Sequence, residues 1–133
     1  MMRGGLLCFV FACASFGHAA APATPLAVQD REHLSYRVSW AIVRGAGSIK
    51  IDARRDPTRA DRLMVTTTTA TRGLARMLMA FDAKAESLYD LSTGRLLSLH
   101  EYSKAKEREK EHSVVFDHAA RQAAYKERGA SES

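Results

Sequence analysis

Leu34-Ser35-Tyr36-Arg37-Val38-Ser39-Trp40 alternates large apolar side chains with small or charged ones. A period of two puts Leu34, Tyr36, Val38 and Trp40 on one face of an extended strand, whereas a helix would scatter them around its circumference. The pattern recurs downstream. Ile49, Ile51 and Ala53 alternate with Lys50 and Asp52, and Gly45 and Gly47 before them supply turn conformations, which predicts a first hairpin bent at the glycines. Pro57 and several charges make 54–61 a loop. Residues 63–71 are β-branched in a way that disfavours helix and read as a third strand. Phe81, Ala83, Ala85, Ser87 and Tyr89, set against Asp82, Lys84 and Glu86, form a fourth. After a Ser92-Thr93-Gly94 turn, Leu97 and Leu99 belong to a fifth strand with His100 and Tyr102 on its other face. Val114, Val115 and Phe116 return to the core, and 117–122 turns toward Ala123 and Tyr125. The expectation is a mainly β domain over 34–125, an antiparallel meander forming a curved sheet or partial β-barrel with one short helix, followed by a flexible tail at 126–133.

The helix is signalled after Gly73, where Leu74, Met77, Leu78 and Phe81 fall at i, i+3, i+4 and i+7. A segment of one or two turns is too short to be stable alone, so it is expected to dock on the sheet as a plug over one end. Met77 and Met79 are flexible and polarisable, and Trp40 and Phe81 fit the same side. Trp40, Leu74, Met77, Leu78 and Phe81 are therefore the candidate site for an apolar or lipid ligand, the plainer alternative being that they close the core.

Every position from Lys106 to Glu111 is charged. In an extended chain Lys104, Lys106, Arg108, Lys110 and His112 share one face and Glu107, Glu109 and Glu111 the other, so neither face covers a core. This stretch is expected to be a projecting edge hairpin. Its charges either discourage sheet association or, through Lys104, Lys106, Arg108 and Lys110, dock an anionic polymer or an envelope protein.

At the start of the chain, Arg3 precedes an apolar run over 6–16 that ends in small residues. The run is too short for a hydrocarbon core of roughly 30 Å and has the form of an export signal. Cleavage after Ala19 makes 1–19 the signal peptide, with Ala23 the later alternative, and 20–33, containing Pro22 and Pro25, a tether. An uncleaved anchor and lipidation at Cys13 are the less favoured variants, because no stop-transfer charges follow and Phe11 is bulky where a small residue is needed. Both cysteines, Cys8 and Cys13, lie in this leader, so the mature chain has no thiol for a disulfide, metal or nucleophile. Losing Arg3 lowers the formal charge from +5 to about +4. Charges interleaved in this way read first as a solvated surface and secondarily as favouring anionic lipid headgroups or wall polymers over nucleic acid, which an exported domain seldom meets, and the remaining length supports one core.

Catalytic signatures are sparse. There is no phosphate-binding glycine loop, nucleophile elbow, calcium loop or paired metal-binding histidines on a helix. His33, His100, His112 and His118 are scattered; His100 and His112 approach a weak zinc site only if strand pairing makes them face each other. Glu86 and Asp90 share a strand face that points to solvent, with nothing apolar to shift a pKa. No metal, cofactor or enzymatic activity is expected.

Tyr36-Arg37-Val38-Ser39-Trp40-Ala41-Ile42-Val43-Arg44-Gly45, Thr71-Arg72-Gly73-Leu74-Ala75, Glu86-Ser87-Leu88-Tyr89-Asp90 and Val114-Val115-Phe116-Asp117 occur in an order that resembles the exported bacterial family named domain of unknown function 3108. The resemblance spans about 34–125 and implies a Gram-negative envelope protein, periplasmic, with an antiparallel β-barrel-like fold and no assigned catalytic residues. Members commonly carry glycine where this chain has Ala41. They also run on through a second set of strands, so the chain resembles the first half, which predicts marginal stability, a truncated product, or a homodimer through an uncovered sheet edge. The expected function is that of a non-enzymatic binding or assembly module. The alternatives are a hydrolase of an envelope polymer using His100 with Glu86, and a structural adaptor using the charged hairpin.

Overall fold

The computed structural model describes residues 26–41 and 43–129. The segment read as a signal peptide at 1–19, the first part of the stretch read as a tether and the last four residues of the expected tail lie outside the described residues. Seven strands and one helix follow in chain order: β1 His33–Trp40, β2 Val43–Arg55, β3 Arg62–Thr71, α1 Gly73–Leu78, β4 Phe81–Asp90, β5 Leu96–Ala105, β6 Arg108–Asp117 and β7 Gln122–Gly129. They form a single antiparallel sheet in which each strand pairs with its sequence neighbours, leaving β1 and β7 at the edges. The mainly β meander is as expected, and the sheet is open and curved.

Register sorts the side chains. One row across the sheet runs Ala53, Val65, Ser87, Leu99, Val114 and Tyr125, on the apolar face. A row on the opposite face runs His33, Asp52, Thr66, Glu86, His100, Ser113 and Lys126, polar throughout. The core sits where the apolar face is covered. Leu63 is 0% exposed and packs with Ala53 and Val65, against which Leu26, Val28, Ile51, Tyr89 and Leu91 lie. The stretch read as a tether is thus docked from Leu26 onward. Its backbone is tied to β2, Arg31 N–H donating to the Ala53 carbonyl at 2.9 Å and Ala53 N–H to the Glu32 carbonyl at 2.9 Å. Arg55 adds its backbone N–H to Asp30 Oδ1 at 2.9 Å.

Two further boundaries differ from expectation. The β1–β2 hairpin turns between Trp40 and Val43, which are register partners, and Gly45 and Gly47 lie inside β2. Gly45, at φ +66°, accommodates extra β2 residues opposite Ser39, whose Oγ accepts its N–H at 3.3 Å. The glycine is a bulge residue, and the turn falls instead to Ala41 at φ +49°. At the C-terminal end, residues 126–129 continue β7, pairing from Lys126↔Ser113 to Gly129↔Lys110, where a frayed tail is expected from sequence.

The connections alternate between two ends of the sheet. At one end, three loops open on an aspartate that receives backbone N–H groups two or three residues on. Asp56 accepts from Thr58 at 2.8 Å, Asp90 from Ser92 at 2.9 Å and Thr93 at 2.8 Å, and Asp117 from Ala119 at 3.0 Å. The Ser92 hydroxyl and then the Thr93 contacts pull the Asp90 carboxyl down to about 2.

Two outcomes follow from these turns. An alanine in the left-handed region costs about 1 kcal/mol that glycine does not incur, partly offset by glycine's freer unfolded chain. Ala41→Gly is therefore expected to raise the urea midpoint modestly, and a lowered midpoint would show that the turn is not strained. Asp90, depressed in the folded state, contributes stability that is complete above its ordinary value of 3.8 and lost as pH falls toward about 2. Asp90→Asn is expected to flatten the acid limb of a pH–stability curve across that window; an unchanged slope would show that the carboxylate hydrogen bonds do not stabilise the fold.

Candidate functional site

The other end of the sheet holds the β1–β2 turn, the α1 excursion between β3 and β4, and the β5–β6 turn. Thr71, the last residue of β3, closes the neck of the excursion. Its hydroxyl accepts the Phe81 N–H at 2.9 Å and donates to the Met79 carbonyl at 3.0 Å. Arg76 of α1 forks onto Asp82 of β4, Nη1 to Oδ1 at 2.9 Å and Nη2 to Oδ2 at 2.8 Å. That hydrogen bonding raises the Arg76 pKa and holds the Asp82 carboxyl below its ordinary range. Met79 N–H returns to the Ala75 carbonyl at 2.8 Å and ends the helix. The β5–β6 turn joins the same structure, Lys106 N–H donating to the Ala80 carbonyl at 3.1 Å.

Beneath α1 lies an apolar groove of about 240 Å³, walled by Val38 and Trp40 of β1, Ala46 and Gly47 of β2, and Ala75, Leu78 and Met79 of the helix segment. Gly47 sits where β2 and β3 approach closely, since a Cβ there would meet the Ala70 carbonyl at 3.1 Å. Of the five residues expected to form the ligand site, Trp40 and Leu78 wall the groove. Leu74 and Met77 do not: they are 67% and 83% exposed, on the outer side of the helix. Phe81 is half-buried at the head of β4 and also lies off the groove. The helix is not a plug, for none of its residues is buried. Periodicity groups Leu74, Met77, Leu78 and Phe81 on one face, but the structure divides them, Leu78 reaching the groove and Leu74 and Met77 the outer side. Ala75 and Ala46, missed from sequence, are too small to announce themselves; Met79 was visible as a flexible side chain next to the helix.

The charged stretch is a hairpin, yet its strands are interior: β5 pairs with β4, and β6 with β7. Nor does its basic set share a face. The turn makes Ala105↔Arg108 and Lys104↔Glu109 partners, so Lys104 falls with Glu109 and Glu111 and away from Arg108 and Lys110, while Lys106 occupies the turn at φ +57°. Lys104 Nζ meets Glu109 Oε1 at 2.6 Å, which keeps that carboxyl below its ordinary range. The expected docking surface of Lys104, Lys106, Arg108 and Lys110 is therefore divided between the two faces.

Histidines are distributed the same way. His100 pairs in register with Ser113 and His112 with Glu101, which puts the two imidazoles on opposite faces and dissolves the conditional zinc site. His100 Nε2 lies 2.8 Å from Glu111, His112 Nε2 3.5 Å from Glu101, and His33 pairs with Asp52 across β1 and β2. Among the described residues no three histidine or carboxylate groups converge as metal ligands. Glu86 is the register partner of His100, but it is bonded to Lys84 at 2.6 Å on the open polar face. No helix among the described residues is long and apolar enough to cross a membrane.

No curated protein and no solved structure matches the chain. Residues 35–132 match a family described as protein of unknown function (DUF3108). The match covers nearly the whole sheet from β1 to β7, and by it the chain belongs to the DUF3108 family.

Proposed function

We propose that this protein is an exported, non-enzymatic binding module of the bacterial periplasm that holds a small apolar group in the groove beneath α1. The observation that carries the reading is the groove itself, about 240 Å³ walled by Trp40, Val38, Leu78 and Met79. It is smaller than the roughly 300–1,000 Å³ of sites that enclose a drug-sized molecule, so it suits the end of an acyl chain or a single ring. The methionine wall adapts to irregular shapes. Export is supported by the leader at 1–19, and the absence of a mature thiol fits an oxidising compartment without requiring disulfides. Against a hydrolase, Glu86 and His100 are each engaged by another partner, Lys84 and Glu111, on a solvent-facing sheet.

The neutral fluorophore N-phenyl-1-naphthylamine tests the groove. It is expected to bind saturably, with energy transfer from Trp40, the chain's only tryptophan. Ala75→Phe, which fills the groove from the helix side, is expected to weaken that binding by on the order of tenfold, as loss of a few buried methylenes would. Equal affinity in the two proteins would place the probe elsewhere and defeat the proposal.

A further inference from the structure

We infer that the α1 end of the sheet seats on an anionic lipid surface, with the outward stripe of the helix entering the headgroup layer. The inference goes beyond the groove, adding Leu74, Met77 and the surrounding cations to Trp40 and Leu78 at its rim. Leu74 and Met77, 67% and 83% exposed, form an apolar stripe on the outer side of the helix, with Leu78 at its edge where the helix meets the groove, and Trp40, 71% exposed, lies on the groove's other wall. Around that apolar tip the chain places Arg44 after the β1–β2 turn, Arg72 and Arg76 on the helix segment, and Lys106 at the β5–β6 turn, all exposed. Glu107 is the only acid in these connections, and Asp82 neutralises Arg76 alone. The opposite end is closer to balance: Asp56, Asp61, Asp90 and Asp117 stand against Arg55, Arg59, Arg62, Arg95 and Arg121 in and beside its three loops. An excess of cations and exposed apolar side chains thus occur together at the α1 end.

Charge decides the occupant. A second copy meeting this end about a two-fold axis would bring the same cationic rim against itself, which like-charge repulsion opposes. An anionic polymer would satisfy the cations but offers no apolar layer for Leu74, Met77 and Trp40. A bilayer containing anionic lipid supplies both, attracting the basic rim and receiving the apolar stripe and the amphipathic indole at the level of the headgroups.

Trp40 reports the docking. With vesicles of phosphatidylglycerol and phosphatidylcholine at low salt, the mature protein is expected to cosediment, to shift its emission to the blue and to be quenched by brominated acyl chains. Phosphatidylcholine alone is expected to produce none of these. Arg44→Glu with Lys106→Glu should weaken partitioning by at least on the order of tenfold, since each surface cation contributes about fivefold. Leu74→Asp with Met77→Asp should abolish it, and because these side chains are solvent-exposed the variant keeps its circular dichroism spectrum. The groove is tested separately: Ala75→Phe should lose the naphthylamine probe and retain vesicle binding, and the Leu74/Met77 variant the reverse. Binding that ignores salt or the two double variants, or a wild-type emission that does not move with anionic vesicles, overturns the inference. A concentration-dependent dimer lost in the Leu74/Met77 variant, without vesicle binding, overturns it in favour of a second copy.

Discussion

The fold depends on a sheet one layer thick, in which each strand hydrogen-bonds its sequence neighbours and little else is available to cover a face. Backbone pairing satisfies the amides of the interior strands, and leaves the burial of side chains as the scarce resource. Among the described residues the core is the strip beneath Leu26 and Val28, and within it Leu63 is the large side chain fully withdrawn from water. Tyr36, Val38 and Tyr125 lie on the same apolar face beyond that strip and are exposed. Burying a side chain of this size contributes about 1.5–3 kcal/mol, so a cover over that face would add substantially to stability. The segment before β1 is therefore structural: without it the centre of the sheet would have no second layer.

How far the sequence announces this architecture depends on the kind of information each residue carries. Alternation is local and unambiguous, which is why Leu34–Trp40, Ile49–Ala53 and Phe81–Tyr89 are legible as strands whose apolar residues share a face. Turn positions are less legible, because a glycine marks a positive φ without saying whether the chain reverses there or bulges. Gly45 bulges, and Ala41 takes the turn that a glycine would be expected to claim. The basic hairpin shows a third limit. Parity along one strand predicts which residues share its face, but the two-residue turn at Lys106 and Glu107 resets the phase, and Lys104 crosses to the acidic side. Contacts such as Arg76 with Asp82 or Lys106 with Ala80 depend on how distant segments meet at one end of the sheet, and no local pattern encodes them.

A strict meander sends alternate connections to opposite ends, and here the two ends are built for different work. The aspartate-led loops at 56–61, 90–95 and 117–121 are short and satisfy their own backbone donors, which fixes the ends of β2 through β7 with little exposed apolar surface. The α1 end carries the groove, the apolar stripe and the excess of cations. A longer excursion there leaves side chains available to partners, while the strands below it hold the frame.

Six residues of helix are too few to be stable by themselves, so α1 persists only through its attachments: the Arg76 fork, the Thr71 hydroxyl and whatever fills the space against Val38 and Trp40. Leu78 belongs to both sides of the helix, walling the groove and edging the outer stripe. Any ligand that binds the groove only when α1 is seated must also raise the population in which Leu74 and Met77 are presented together on the far side. Reciprocity then requires that a surface engaging that stripe raise the groove's affinity by the same factor. The coupling is bounded by the free energy of unseating α1, which the lack of any fully buried residue in the helix keeps small. A modest, two-way linkage between the inner and outer faces of one short helix is thus a property of this end of the sheet, set by how little holds the helix in place.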